Sequence, residues 1–478
     1  MIKGSSMRRT RLFTQRAELL AALAVGGVAA CASPPDQAAT ETGVQSAEAS
    51  PAPRVTNLPT LPANRPDSAV VARAEGFRSL HSRVRVEGLN DRRFSPETYW
   101  ASVLPVIEGS NAVRSDSIGV SAEGRPLRLV RFGSGETKVL LWSQMHGDES
   151  TASMALADIL SFIAERPGHP SVRAILENLE VGIVPVLNPD GAARFERRNS
   201  QGIDINRDAR ALQTPEGRAL KSARDEMEPD FAFNLHDQGI RTRVGETGRG
   251  AAIALLAPPD DESRRVTRVR DRAFRVASVI RDAMEPMVED HIAKYDDTFN
   301  PRAFGDLMTQ WGASTVLIES GGWVNDPQKQ YLRRVNFVGI LAALESIATG
   351  SWERANPDRY HALPYNGRAV ADLVIRGGTL RVPGLPDLQA DLLVNYQEPL
   401  LEIGGTLVDV GDMTDAEARD TLDASGLYIL ALDEALEFRG ERAILAPGAP
   451  AWFIASPVRD GSVPEWDFRG ELQRARRR

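Results

Sequence analysis

Apolar runs alternate with helical patterns between about residues 67 and 350, and this alternation predicts an α/β domain. The run Val181–Leu187 is almost wholly apolar, as is typical of a strand that is covered on both faces. The predicted strands are Leu127–Phe132, Val139–Met145, Glu180–Leu187, Phe231–Leu235, Ile253–Ala257 and Ser314–Ile318. The predicted helices are Ser150–Ala164, Arg264–Met284 and Gln328–Ile347.

The pattern changes near residues 350–365, where Gly, Ser, Asn and Pro predict a domain boundary. Beyond it, short apolar runs punctuated by Gly and Pro predict a smaller, β-rich C-terminal domain at about 365–460. The runs are Ala369–Ile375, Leu392–Val394, Leu427–Leu432 and Ala451–Ile454. This region shows no catalytic constellation, and its sequence does not indicate its role.

The first 31 residues have the pattern of an export signal. A basic segment at 7–11 precedes the apolar run Leu19–Ala30, which is shorter than the roughly 20 residues that span a bilayer. Val28-Ala29-Ala30-Cys31 resembles the lipobox of bacterial lipoproteins, in which the cysteine becomes the lipidated first residue once the signal peptide is cleaved. The alternative is a chance cysteine near an ordinary signal peptide. Residues 32–66 are rich in Pro, Ala, Ser and Thr, which predicts a flexible linker. We therefore expect an exported, lipid-anchored protein of the cell envelope that faces the periplasm, with the outer membrane as its destination.

Hydrophobic content, net charge and cysteine count limit the classes of function that the chain can have. A chain of 478 residues with 42% hydrophobic content can bury a large core. The net charge of −8 argues against a nucleic-acid partner. Cys31 is the only cysteine, so no disulfide can form within the chain.

Three predicted strands each end in a residue that can serve metal chemistry. His146 follows the apolar run at 139–145, His236 ends the strand at 231–235, and Glu319 ends the strand at 314–318. Open α/β sheets bind ligands at the carboxyl ends of their strands, so these side chains are expected at one edge. Glu149 lies three positions after His146, and a catalytic zinc ion takes such nitrogen and oxygen donors while keeping one position open. Taken singly, each remains open to a structural or solvated role.

Two further segments accompany these residues. Asn188-Pro189-Asp190-Gly191 is a turn-forming tetrapeptide at the end of a buried strand. Residues 197–208 read Arg-Arg-Asn-Ser-Gln-Gly-Ile-Asp-Ile-Asn-Arg-Asp. In this order, the motifs over about residues 95–345 resemble those of the zinc carboxypeptidase A-like metallocarboxypeptidase family.

The resemblance implies a mixed, mainly parallel central sheet with helices on both faces. It also implies one Zn²⁺ per chain, with His146, Glu149 and His236 as ligands and Asp204 as the carboxylate that orients the first histidine. The other four histidines, His81, His169, His291 and His361, are expected at the surface.

For catalysis, the resemblance implies Glu319 as the general base and Arg197 as a stabiliser of the oxyanion. Arg197 matches the family spacing, five residues before Gly202, although Arg198 is its direct neighbour. Asn206 and Arg207 match the pair that binds the terminal carboxylate of the substrate, with an ion pair between Arg207 and Asp208 as the alternative.

The chain departs from the family pattern at two places. The segment reads Asn-Arg-Asp rather than the commoner Asn-Arg-Asn, so Asp208 either adjusts substrate preference or is a hydrogen-bonded structural residue. The substrate-capping tyrosine is matched only by Tyr295, 24 residues before Glu319. We expect the pocket that receives the substrate side chain to be formed by residues 300–310.

The function that follows is an exported zinc metallocarboxypeptidase acting on peptides or peptidoglycan stem peptides, without a nucleic-acid partner. One alternative is a zinc deacylase of N-acyl amino acids, similar to aspartoacylase. Another is a catalytically inactive binding protein of the envelope. The intact Asn-Pro-Asp-Gly segment favours the peptidase over the deacylase, and the presence of all ligands and the base disfavours an inactive protein.

Overall fold

A mixed eight-stranded sheet forms the centre of the larger part of the chain. The structure is a computed structural model, and it describes residues 65–468. The strands of this sheet are β1 (Val113–Val120), β2 (Pro126–Phe132), β3 (Thr137–Ser143), β4 (Leu179–Val184), β5 (Phe231–Asp237), β6 (Ile253–Leu256), β7 (Ile292–Lys294) and β8 (Ser314–Ser320). They lie in the order β1-β2-β4-β3-β5-β8-β6-β7. The pairs β3-β4, β3-β5, β5-β8 and β6-β7 are parallel, and the other pairs are antiparallel.

Helices cover both faces of this sheet. They are α1 (Ser68–Val84), α2 (Pro96–Glu108), α3 (Thr151–Glu165), α4 (Pro170–Asn178), α5 (Pro189–Arg194), α6 (Pro215–Met227), α7 (Arg268–Met284), α8 (Phe304–Gln310), α9 (Gln330–Ala348) and α10 (Asp358–His361). Because side chains alternate along a strand, Leu141 of β3 joins the core formed with α3, α7 and α9, whereas Trp142 joins the core formed with α6 and α8. The two cores explain why β3 is apolar at every position from Val139 to Trp142.

The C-terminal part is a separate set of strands with its own core. These strands are β9 (Ala371–Arg381), β10 (Leu388–Glu398), β11 (Ile403–Gly411), β12 (Ala418–Asp423), β13 (Tyr428–Ala431), β14 (Leu436–Arg439), β15 (Arg442–Leu445), β16 (Phe453–Ser456) and β17 (Trp466–Asp467). Ile375, Leu392 and Phe453 are buried together in that core. The predicted fold class is confirmed, including the β-rich C-terminal part. The described residues 65–468 belong to one compact unit, so the predicted domain boundaries stay a prediction.

The structure differs from the sequence predictions in its edge strands and in one histidine. β1 and β7 were not predicted, because β1 is largely exposed and β7 has three residues. The expectation that His81 lies at the surface is wrong. His81 is buried, and its Nε2 lies 2.8 Å from Oδ2 of Asp158, which Arg333 also binds. The predicted signal segment, Cys31 and nearly all of the linker lie outside the described residues. No helix within residues 65–468 is long and apolar enough to cross a membrane.

Candidate active site

The sheet register places two of the predicted functional residues side by side. His236 on β5 is the direct partner of Glu319 on the parallel strand β8. Phe233 and Leu235 belong to the core on one face of the sheet. By the alternation of side chains, His236 and Glu319 lie on the opposite face, where both line a cavity of about 660 Å³.

The loop after β3 places the other two predicted ligands. Gln144 has a positive φ of 50°, and the chain then turns so that Glu149 N donates to His146 O at 3.1 Å. Gly147 allows a close backbone approach at this turn, because a Cβ there would lie 2.1 Å from the carbonyl carbon of Gly191. The His-Gly-Asp-Glu sequence therefore fits a tight loop pressed against α5.

Asn188 links this loop to the segment that carries Arg197. Its side-chain Nδ2 donates to Met145 O and to Arg197 O, both at 3.3 Å, while its Oδ1 accepts from Gly191 N at 2.9 Å. The side chain is fully buried. The Asn-Pro-Asp-Gly segment therefore holds the residue before His146 and the backbone of Arg197 in one network.

His146, Glu149 and His236 form a buried cluster whose ligand atoms all lie within 4.8 Å of one another. Nδ1 of His146 lies 2.7 Å from Oε1 of Glu149, and Nδ1 of His236 lies 2.7 Å from Oε2. Two imidazole nitrogens and one carboxylate form a donor set that zinc prefers at catalytic sites. The residues therefore fit a zinc ion.

A carboxylate on the far side of His146 strengthens this fit. Oδ1 of Asp204 lies 3.0 Å from Nε2 of His146, on the ring edge opposite Glu149. Metal-binding histidines commonly donate their second N–H to such a carboxylate, which fixes the tautomer and the ring orientation. Asp204 also accepts from Asn206 N at 3.0 Å, so the same carboxylate caps the short helical turn that follows.

The charges of the cluster shift its pKa values in opposite directions. Burial lowers the pKa of His146, but Glu149 and Asp204 outweigh burial and raise it to about 9. Burial lowers the pKa of His236, and Glu149 offsets that effect only in part. Burial opposes ionisation of Glu149, yet the two histidines hold its pKa well below its ordinary value.

Arg197 reaches the cluster, and its neighbour does not. Its Nη2 donates to Oδ2 of Asp204 at 2.9 Å, and its Nη1 donates to Oε1 of Glu149 at 3.2 Å. Arg198 instead donates to Gly202 O at 3.0 Å and is exposed. Of these two arginines, only Arg197 contacts Asp204 and Glu149.

Asn206 and Arg207 line the cavity beside the cluster. Asn206 Oδ1 accepts from Phe304 N at 2.9 Å, and its Nδ2 lies 3.4 Å from Nε2 of His236. Arg207 Nη1 donates to the backbone oxygen of Asn206 at 2.7 Å. The guanidinium of Arg207 is therefore fixed at one edge while it borders the cavity.

Tyr295 and Glu319 border the same cavity from β7 and β8. Tyr295 follows β7, and its backbone N donates to Leu255 O at 2.8 Å, while 39% of the residue is exposed. Glu319 is 9% exposed. Burial and the negative charge of Glu149 raise the pKa of Glu319 well above its ordinary value.

Asp208 is held by hydrogen bonds at the start of α6. Thr214 N and Thr214 Oγ1 each donate to its Oδ2 at 2.7 Å, and Gln213 N donates to its Oδ1 at 2.9 Å. Asp208 is buried and is not among the residues that line the cavity. Of the two interpretations of the Asn-Arg-Asp departure, the geometry favours a hydrogen-bonded structural residue at the start of α6.

Asp306 is an acid of the cavity that the sequence did not single out, although it lies within the expected 300–310 segment. Asn300 N donates to its Oδ1 at 2.8 Å, and no Lys or Arg of the described chain forms an ion pair with it. Burial raises its pKa to about 6. No motif marks Asp306, because only the position of α8 brings it to the cavity.

The sequence also did not predict a buried ion pair that lies next to the cluster. Lys329 Nζ donates to Oδ2 of Asp237 at 2.9 Å, and Thr151 Oγ1 donates to the same oxygen at 2.7 Å. Asp237 N donates to Oε2 of Glu149 at 3.2 Å. Asp237 follows His236 directly in the sequence, but nothing in the sequence connects it with Lys329.

Several known proteins resemble parts of this chain. The sequence profile of the zinc carboxypeptidase family matches residues 106–246. Carboxypeptidase SOL1 of Arabidopsis thaliana is 27% identical over 198 residues, which cover 37% of this chain and 40% of that protein. A zinc carboxypeptidase of Saccharothrix mutabilis subsp. capreolus is 30% identical over 123 residues, 21% of this chain and 28% of that protein. A metallo-carboxypeptidase structure from Burkholderia cenocepacia has a TM-score of 0.43 at 18% identity, over 54% of this chain and 70% of that one.

The chain thus resembles the zinc carboxypeptidase family over residues 106–246, and the predicted family resemblance is confirmed. The matched segment contains His146, Glu149 and His236, whereas Tyr295 and Glu319 lie outside it. The chain spans less than half the length of the two curated relatives just described.

Proposed function

We propose that this protein is a zinc-dependent metallocarboxypeptidase that releases single residues from the C-terminal end of peptides. The observation that carries the proposal is the convergence of His146, Glu149 and His236 beside a cavity that Arg207 and Glu319 also line. A zinc ion held by the three ligands would polarise a carbonyl group and make a coordinated water more acidic. The remaining chemistry belongs to side chains of this chain.

Glu319 is the proposed proton carrier. It lies beside His236 in the register of the sheet, borders the cavity, and forms no ion pair within residues 65–468. Its buried position raises its pKa, so a proton taken from water is retained long enough to be delivered to the leaving amine. Glu319 thus acts as the general base when it is ionised and as the general acid once it is protonated.

Arg197 and Arg207 have different proposed roles. Arg197 is held against Glu149 and Asp204 at the ligand cluster, where its charge can stabilise the oxyanion that forms during hydrolysis. Arg207 lies on the cavity wall, where its guanidinium can bind the terminal carboxylate with two hydrogen bonds. The backbone oxygen of Asn206 positions Arg207, and Tyr295 lines the same cavity. A carboxylate site inside the cavity favours removal of terminal residues over internal cleavage.

Asp306 gives the cavity a preference for a cationic side chain. Its carboxylate lines the cavity without a side-chain ion pair, and burial disfavours its charged form. A lysine- or arginine-like terminal residue would supply the missing counter-charge. We therefore place the preferred substrate among peptides with a basic C-terminal residue.

The location of the protein is a further part of the proposal. The signal-like segment and the lipobox-like Val28–Cys31 support export and a lipid anchor at Cys31, with the globular part facing the periplasm. Peptidoglycan stem peptides are then available as substrates besides ordinary peptides. Labelling cells with a palmitate analogue tests the anchor, since a Cys31→Ala variant should lose both the label and membrane association.

The activity is tested by mass spectrometry of peptides, peptidoglycan fragments and N-acyl amino acids after incubation with protein that lacks residues 1–31. We expect stepwise loss of single C-terminal residues, no loss after chelation, and loss at a rate at least about 10²-fold lower in the Glu319→Gln variant. Internal cleavage alone would contradict the carboxypeptidase assignment. Hydrolysis of N-acyl amino acids alone would identify a deacylase, and zinc binding without any hydrolysis would identify an inactive binding protein.

A further inference from the structure

A second cavity of about 600 Å³ adjoins the one that contains Arg207. The two cavities share wall residues around the ligand cluster, including Glu149, Arg197 and Asp237. They are therefore two ends of one cleft that passes the proposed zinc site.

The proposed function gives this cleft a direction. A peptide whose terminal carboxylate binds Arg207 has its scissile bond at the ligand cluster, so its upstream residues must leave away from Arg207. Arg207 lines the first cavity and is absent from the described walls of the second. The second cavity is therefore where residues upstream of the scissile bond would lie.

The C-terminal sheet supplies one wall of this second cavity. Residues 397–400, which we call the 397–400 turn, include the end of β10 and lead towards β11, and all four line the cavity. Arg92, Arg93 and Phe195 of the preceding part also line this cavity. The cleft thus lies between the part that carries the ligand cluster and the β-rich C-terminal part.

Ion pairs hold the turn against Arg92 and Arg93. Arg92 Nη2 lies 3.5 Å from Oε2 of Glu398, and Arg93 binds the other carboxylate oxygen. The two guanidinium carbons lie 4.8 Å and 4.6 Å from the centre of the Phe195 ring, which fixes their orientation. The backbone of Arg92 is fixed as well, because Ser150 Oγ donates to its carbonyl oxygen at 2.7 Å. Ser150 directly follows Glu149, so this wall is tied to the ligand loop.

A second anchor holds the C-terminal sheet at the same edge of the cleft. Arg241 donates to Oδ2 of Asp372 through Nε at 2.8 Å and through Nη2 at 2.6 Å. Its Nη2 also donates to Tyr396 O at 2.7 Å, directly before the 397–400 turn. Asp372 is 1% exposed, so the carboxylate of this pair is desolvated, while the Arg241 side chain is half-buried.

We propose that the 397–400 turn is a substrate-binding wall, which contacts peptide residues upstream of the scissile bond and so makes the C-terminal sheet part of the active site. The wall is mostly polar, with Leu400 and Pro399 as its apolar surface. Such a wall suits an extended polypeptide with at least two residues before the scissile bond. A short substrate does not reach it.

Kinetics on substrates of two lengths test the proposal, which rests on the proposed function. The substrates are a blocked dipeptide and a pentapeptide with the same two C-terminal residues, and the readout is the ratio of their kcat/KM values. For the wild type, we expect the pentapeptide to be favoured about tenfold, mainly through KM, since one apolar contact in a pocket changes kcat/KM by roughly that factor. Leu400→Ala and Arg93→Gln should each reduce this ratio towards one.

The matched control is Leu385→Ala. Leu385 lies in the turn at the other end of β10, is 41% exposed, and lines neither cavity. This control should keep the wild-type ratio, and thermal unfolding would show which variants are folded. A ratio that is unchanged in both Leu400→Ala and Arg93→Gln, or a wild-type ratio near one, overturns the inference while leaving the carboxypeptidase assignment intact. If the wild type hydrolyses neither of the two peptides, the proposed function is overturned and the inference with it.

Discussion

His236 and Glu319 are direct partners on the parallel strands β5 and β8. The sheet register therefore fixes the distance between a proposed zinc ligand and the proposed proton carrier, without help from a loop. Each strand has every second side chain in the same apolar core, so a shift of one residue would turn both polar side chains into that core. Burial of the apolar side chains of β5 and β8 thus fixes the strand register and, with it, the positions of His236 and Glu319.

Replacing Glu319 by glutamine should remove proton transfer and leave the ligands in place. General acid–base catalysis contributes a factor of roughly 10²–10⁴, so we expect kcat to fall by at least about 10². Zinc content measured by atomic absorption should match the wild type. A variant that retains wild-type kcat would assign the proton transfer to another group.

Asp204→Asn should weaken zinc binding rather than abolish the fold. The carboxylate lies 3.0 Å from Nε2 of His146 and holds the ring in its binding orientation. Loss of such a partner lowers metal affinity by about 10–100-fold, which competition with a fluorescent chelator would measure. Equal affinities of variant and wild type would show that Asp204 merely caps the following turn.

Asp306 should make substrate preference depend on pH. Its pKa is raised by burial to about 6, so the carboxylate is charged above that pH and neutral below it. The preference for a C-terminal arginine over a C-terminal leucine should therefore fall as the pH drops from about 7.5 to about 5. Measuring the ratio of kcat/KM for two peptides cancels the titration of groups that both reactions share.

Asp306→Asn should lower that preference at neutral pH by about tenfold or more, because a buried ion pair with the substrate is lost. It should also remove the pH dependence of the ratio. A preference that persists in this variant would place the specificity elsewhere in the cavity.

Asp208→Asn should lower the stability of the fold and leave the substrate preference unchanged, unlike Asp306→Asn. The carboxylate accepts three hydrogen bonds at the start of α6, and an amide cannot accept them all. We expect a loss of about 1–3 kcal/mol in the free energy of unfolding, measured by denaturant titration, with the arginine-to-leucine preference unchanged. A changed preference with wild-type stability would restore the other interpretation of the Asn-Arg-Asp sequence.

The sequence predicted the six inner strands of the sheet and the ligand cluster because both depend on short patterns. Apolar runs locate β3, β5 and β8, and each run is followed closely by a residue suited to metal chemistry. Asp306 and the pair of Lys329 with Asp237 could not be predicted, since their positions depend on how distant elements pack. The proposed role of the 397–400 turn could not be predicted from the sequence for the same reason. Arg241 and Asp372 are 131 positions apart, and only the folded chain brings them together.

The most direct test of the account is a zinc titration of the metal-free protein with peptide hydrolysis as the readout. We predict that activity rises linearly and stops rising at one zinc per chain, and that a His236→Ala variant shows no tight zinc binding and no activity. Full hydrolysis of C-terminal residues by metal-free protein, or tight stoichiometric zinc binding by His236→Ala, would contradict the proposed zinc site.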